Sequence, residues 1–237
     1  MAARSKRKET EPKPARRFRP LRVLRRLALL AVVLAVGIVA LYSKVNPPTT
    51  ITILADYWQR GSVQHDWVAM EDIAPVMARS AVAAEDANFC LHWGFDVRAI
   101  KMAFADGAVR GASTISQQVT KNVFLWQGRS WVRKVLEAGM TPLVELMWSK
   151  RRIVEVYLNV AEMGPGIYGV GAAAEAHFGV TADTLTAAQA AALAAVLPNP
   201  EERNAADPSP WLRKRIAGIR DGAATIAADG RAACFED

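Results

Sequence analysis

Arg110-Gly111-Ala112-Ser113-Thr114-Ile115-Ser116-Gln117-Gln118-Val119-Thr120-Lys121-Asn122 is a glycine turn running into a hydroxyl-rich helix start. Ser113 is the candidate N-cap, and the spacing predicts a helix over 113–124. The free N–H groups and positive dipole end of such a helix suit an anion such as phosphate. Lys121 falls three residues after Gln118 and four after Gln117, so these donors share one helix face. An ordinary helix can carry a polar outer face, but two adjacent glutamines among so many hydroxyls is unusual for that role.

The segments on both sides follow the same helical period. Helices are expected over 73–87, 95–105, 130–147, 149–163 and 170–178, the last ending at Gly179. Thr186-Ala187-Ala188-Gln189 is a capping-box pattern opening a helix that stops at Pro198, and a final helix runs from Pro210 to about Ala228. Thr49–Leu54 (TTITIL) is the one extended-looking run outside the apolar N-terminal segment, a strand or a simple link. The fold class is therefore mainly α, with room for one domain of ordinary size in 237 residues.

Upstream, Glu85-Asp86-Ala87-Asn88-Phe89-Cys90-Leu91-His92-Trp93-Gly94 places two carboxylates at a helix C-terminus, the end that prefers cations. Taken alone this is a solvated helix end with Asp86 turning the chain. Alternatively, Phe89 and Trp93 partly desolvate a carboxylate, raising its pKa and making it a usable general base. Downstream, Arg133-Lys134-Val135-Leu136-Glu137 puts two cations one turn before a glutamate, which by itself is a surface ion pairing. Lys150–Asn159 (KRRIVEVYLN) and Gly164–Phe178 (GPGIYGVGAAAEAHF) complete the ordered series.

The formal charge of +7 is concentrated at one end. Residues 1–26 hold eleven Lys/Arg against Glu9 and Glu11, leaving 19 basic and 21 acidic residues for positions 27–237. The folded part carries about −2, which argues against binding a nucleic-acid backbone by counterion release. Leu27–Ser43 then runs seventeen residues without a charge. That covers roughly 26 Å, and Val23, Leu24 and snorkelling Arg25 and Arg26 extend it enough to span a bilayer. A buried core helix and a cleaved signal peptide are the alternatives, but the basic flank is long for a signal and no A-x-A site follows. The expected organisation is a basic cytoplasmic tail (1–26), a transmembrane anchor (27–43), a linker (44–54) and an exported domain (55–237).

In sequence and spacing, these stretches resemble the glycosyltransferase family 51 domain of peptidoglycan polymerases. The patterns E-D-x-x-F-x-x-H-x-G, G-x-S-T-I-x-Q-Q-x-x-K-N, R-K-x-x-E and Y-L-N-x-x-x-x-G-x-x-x-Y-G all match, in order, between about Ala55 and Pro200. The stretch from Gly94 to Arg110 is a few residues shorter than is usual in the family, trimming a loop near the acceptor side. The resemblance implies a lysozyme-like, two-lobed domain behind a single membrane helix, acting on lipid II and the growing glycan strand at the bacterial inner membrane.

It also implies roles. Glu85 would be the general base, with Glu137 positioning the leaving group's partners or sharing a divalent cation such as Mg2+ or Mn2+. Asp86, Phe89, His92, Ser113, Thr114, Gln117, Gln118, Lys121, Asn122, Arg133 and Lys134 would bind substrate, with Lys121, Arg133 and Lys134 holding the diphosphate. No metal-ligand spacing demands an ion. Protein partners would come from penicillin-binding or cell-division proteins.

Other matches fail on context. Gly164–Gly169 fits G-x-G-x-x-G but follows a helix and contains proline, which disfavours a dinucleotide site. Ser5–Lys8 fits S-x-x-K in the tail, yet no K-T-G accompanies it, so no transpeptidase is expected. Scattered histidines and cysteines make zinc improbable. Two rival functions stay in view: a lytic transglycosylase or muramidase, which has no diphosphate to neutralise, and a scaffold that binds lipid II without turnover. Two structural expectations follow. Val123-Phe124-Leu125-Trp126 and Trp131 should form an exposed apolar edge dipping into the bilayer, against the alternative that they complete the core. Cys90 and Cys234, both exported, should form a disulfide rather than stay free thiols.

Overall fold

The computed structural model describes residues 20–105, 113–128 and 130–236. The basic tail as far as Arg19, the Arg110-Gly111-Ala112 turn with the last part of the shortened stretch before it (106–109), Arg129 and Asp237 lie outside the described residues. The chain divides into two compact units, Met1–Ile38 and Val39–Asp237.

The first unit consists, where described, of most of helix α1 (Pro20–Tyr42). Its span Leu21–Tyr42 is long and apolar enough to cross a membrane, about 33 Å at 1.5 Å per residue, with 6% of its most apolar window buried. It starts earlier than the uncharged run, so Arg22, Arg25 and Arg26 are helical, on side chains long enough to reach headgroups.

The second unit is mainly helical: α2 (Ile51–Arg60), α3 (Pro75–Glu85), α4 (Val97–Ala105), α5 (Ile115–Phe124), α6 (Trp131–Met147), α7 (Lys150–Val160), α8 (Val170–Phe178), α9 (Ala187–Val196), α10 (Pro210–Ala228) and α11 (Ala233–Glu236). α3, α9 and α10 pack on one another as one group, and α5 packs on α6 and α7 as another. The alanine-rich α9, buried from Ala190 to Val196, lets its neighbours approach closely. α7 is the hub, with Ile153, Val154, Val156, Tyr157 and Leu158 all fully buried. The last turn of α1 belongs to this unit: Val39 is buried and its carbonyl accepts Trp148 Nε1 at 2.7 Å.

Three details differ from the sequence reading. Thr49–Leu54 is neither strand nor link: Thr50 Oγ1 accepts Ile53 N–H at 3.2 Å, and residues from Ile51 continue helically to the left-handed Gly61. A good cap and a glycine stop outweigh the β preference of a short run. The helix expected over 149–163 ends at Val160, because Glu162–Gly164 (β2) turns back through Pro165-Gly166 onto Ile167–Tyr168 (β3). β3 also pairs in parallel with Gln64–His65 (β1), giving a small sheet of order β1-β3-β2 that the sequence did not reveal. Gly169 follows at φ +83°, and a Cβ there would stand 2.7 Å from Asn159 O, so this junction accepts only glycine.

Cys90 and Cys234 are disulfide-bonded, with Cα atoms 5.8 Å apart. The C-terminal segment is also held by Phe235 against Phe89 and by Arg79 Nε to Glu236 Oε1 at 2.6 Å.

Candidate active site

The two carboxylates at the end of α3 face different partners. Asp86 turns inward: Oδ1 meets His92 Nε2 at 2.8 Å and Oδ2 accepts Ile115 N–H at 3.0 Å. A buried carboxylate at the N-terminus of α5 is favourably placed against the helix dipole. That contact also corrects an expectation. The α5 N-terminus is closed, because Asp86 takes one N–H and Thr114 with Gln117 forms a capping box; the cap is Thr114, not Ser113. The Ile115 and Gln117 N–H groups are therefore already taken and are not free for a phosphate. Thr114 also donates to Gly94 O at 2.6 Å. Asp86, Phe89 and Thr114 are thus buried support, His92 is half-buried, and none of the four lines the cleft beside Glu85.

Glu85 opens instead onto a cleft of about 980 Å³ between the two helix groups. Its Oε2 accepts Gln118 Nε2 at 3.0 Å, and Oε1 lies 3.6 Å from Arg215 Nη2. Burial pushes its pKa above the usual glutamate range, while the Gln118 hydrogen bond and the cations Arg215 and Arg203 pull the other way. Tyr157 O–H donates to Gln118 Oε1 at 3.3 Å, and burial raises the phenol's pKa so that it stays protonated. With its oxygen so engaged, the amide must turn its NH2 toward Glu85.

Across α5 and α6 the cleft is cationic. Gln117, Gln118 and Lys121 share the face that their spacing implied, joined by Ser113, Arg133 and Lys134. Glu137 is buried beneath: Oε2 pairs with Arg133 Nη1 at 2.7 Å, Oε1 with Lys134 Nζ, and Gln117 Nε2 stands at 3.5 Å. No carboxylate among the described residues pairs directly with Lys121. Burial and Arg133 lower its pKa, partly countered by Glu137. The side chains around Glu137 are cations and an amide, and no group of three or more His, Cys, Asp or Glu gathers among the described residues. They do not fit a divalent cation held by the protein.

The transglycosylase family model matches residues 52–223. A biosynthetic peptidoglycan transglycosylase of Jannaschia sp. (strain CCS1) is 59% identical over 213 residues, covering 90% of this chain and 89% of the relative. Those of Pectobacterium atrosepticum and Shigella sonnei are 50% and 49% identical, covering 81% and 83% of this chain and 85% and 88% of theirs. This chain belongs to the transglycosylase family.

The transglycosylase cleft continues past Gln118, Lys121, Leu197 and Pro198 into a second chamber of about 370 Å³. Asn122 faces this chamber, as do Asp56, Glu162 and Glu201. Arg60 bridges its rim, pairing with Asp56 at 2.6 Å and with Glu201. Two cleft cations were missed in the sequence, Arg203 and Arg215, and Trp211 with them. A signal was there: Leu212, Ile219, Ala223 and Ile226 are the buried stripe of α10, and Arg215 interrupts it three residues after Leu212. Glu145 was also missed. It pairs with Lys150 at 2.8 Å and with Ser116, while Lys150 Nζ reaches His92 O at 2.9 Å, tying α5, α6 and α7 together behind the site.

The apolar edge divides. Trp131 is 87% and Trp126 41% exposed, but Val123 and Leu125 are buried and Phe124 packs against Trp148, so the tryptophans face outward together with Val132, Val135 and Leu136.

Proposed function

We propose that this chain polymerises peptidoglycan glycan strands from lipid II. The observation that carries the reading is one cleft holding a desolvated carboxylate, Glu85, together with Lys121, Arg133 and Lys134. Glu85 takes the proton from the GlcNAc 4-hydroxyl of the incoming lipid II as that oxygen attacks C1 of the strand's reducing-end MurNAc. The C1–O bond breaks with inversion, forming a β-1,4 bond, and its electron pair leaves on undecaprenyl diphosphate. Cations fixed in the cleft before reaction stabilise that charge as it develops. Buried Glu137 holds Arg133 and Lys134 in place.

The leading basic residues and α1 support an inner-membrane anchor with the tail in the cytoplasm and the catalytic unit in the periplasm. A lytic enzyme would cleave a neutral glycan and would have no use for three cations beside its acid. Detergent-solubilised protein incubated with labelled lipid II tests the reading: long, muramidase-sensitive strands are expected. Release of fragments from preformed glycan, or binding without product, would overturn it.

A further inference from the structure

We infer that Arg215 is a positioning residue for the general base, holding the Glu85 carboxylate ionised and aimed into the cleft from α10. The inference rests on the reading of Glu85 as the base and goes beyond it, since Arg215 lies outside the motifs that carried the family resemblance.

The geometry is specific. Gln118 engages Oε2 from α5, whereas Arg215 Nη2 stands 3.6 Å from Oε1, close enough for charge attraction yet beyond a hydrogen bond. Oε1 is therefore left to receive a proton. Arg215 reaches this place because α10 lies close against α3: a Cβ on Gly222 would stand 3.3 Å from Ala83 Cβ. Its Nε is buried without a hydrogen-bond partner among the described residues, so its own hydrogen-bonding does not explain the guanidinium's position. Arg203 backs it, fixed by a 3.0 Å bond from Nη1 to Ala195 O and by stacking over Trp211 at 5.0 Å.

The charged and titratable groups acting on Glu85 come from every side: Asp86 just after α3, Lys121 on α5, Tyr157 on α7, Arg203 before α10 and Arg215 on it. Burial opposes ionisation, and of the cations around Glu85 it is Arg215, ahead of Arg203, that most favours the ionised form. Removing that positive charge makes Glu85 harder to ionise. The base is then lost at a higher pH, while at alkaline pH it is ionised with or without the arginine.

The test is the initial rate of lipid II polymerisation by the full-length chain across roughly pH 5.5 to 9. Arg215→Gln should be about tenfold slower than wild type at the acid end, the effect of one adjacent charge. The deficit should shrink to within about twofold at the alkaline end. Arg215→Lys, which keeps the charge, should retain the wild-type acid limb, and carries the test should the glutamine variant not fold. Arg203→Gln should move the limb the same way, by less. A deficit constant across pH, or an acid limb displaced equally in Arg215→Lys, would overturn the assignment. A wild-type rate in Glu85→Gln would instead overturn the reading of the base.

Discussion

The carboxylate of Asp86 accepts the backbone N–H of Ile115 at 3.0 Å, although the two residues are 29 positions apart. This contact joins the end of α3 to the start of α5 and separates the jobs of two adjacent acids. Asp86→Ala should destabilise the domain by about 2 to 3 kcal/mol, the cost of losing buried hydrogen bonds to a charged group. Asp86→Asn, which keeps an acceptor for Ile115, should cost less. Thermal melts of both variants check the order.

Glu85→Gln should show the opposite signature. Loss of the proton acceptor should lower the polymerisation rate by about 10² to 10⁴. Because burial raises the folded-state pKa of Glu85, folding favours its neutral form. The stability it contributes is full below its unfolded pKa and is lost as pH rises through the folded value. The glutamine variant does not lose it, so its melting temperature should exceed the wild type's by more at neutral pH than at acid pH. A wild type that gains on the variant as pH rises would contradict the sign.

Glu137→Gln should damage both properties at once. Arg133 and Lys134 would be left beside a neutral amide, and truncating one partner of a buried pair costs about 3 to 5 kcal/mol. Partial exposure of Lys134 moves the expected loss to the low end or below. Combined denaturant titration and single-turnover kinetics would reveal it, and an unchanged stability would count against the buried arrangement.

The Cys90–Cys234 bridge closes a loop spanning 144 positions, so the chain-entropy model gives at most about 4 to 5 kcal/mol. The Cys90→Ser, Cys234→Ser double variant should melt earlier while its initial rate at low temperature stays near wild type. Thiol labelling of both residues in unreduced protein would refute the bridge.

Trp131, the most exposed large side chain of α6, should contact lipid. In reconstituted protein carrying Trp131 as its sole tryptophan, brominated lipids should quench its fluorescence. An emission insensitive to them would place this edge in water.

Much of this was legible in the chain. Helix periodicity, the capping box at Thr186 and the glycine stop at Gly179 are local properties, and the helices they mark formed where spacing put them. The shared face of Gln117, Gln118 and Lys121 follows from 3.6 residues per turn alone, as does the pairing of Arg133 and Lys134 with Glu137. What the sequence could not decide is which way adjacent groups turn. Glu85 and Asp86 differ only in what packs on each: Gln118 and Arg215 around one, His92 and Ile115 around the other. The Asp86 contact to the α5 N-terminus, the pairing of β1 with β3 about a hundred positions apart, and Arg215 beside Glu85 have the same origin. Each is a contact between distant segments, and such contacts exist only once burial of the apolar faces has fixed how the helices pack.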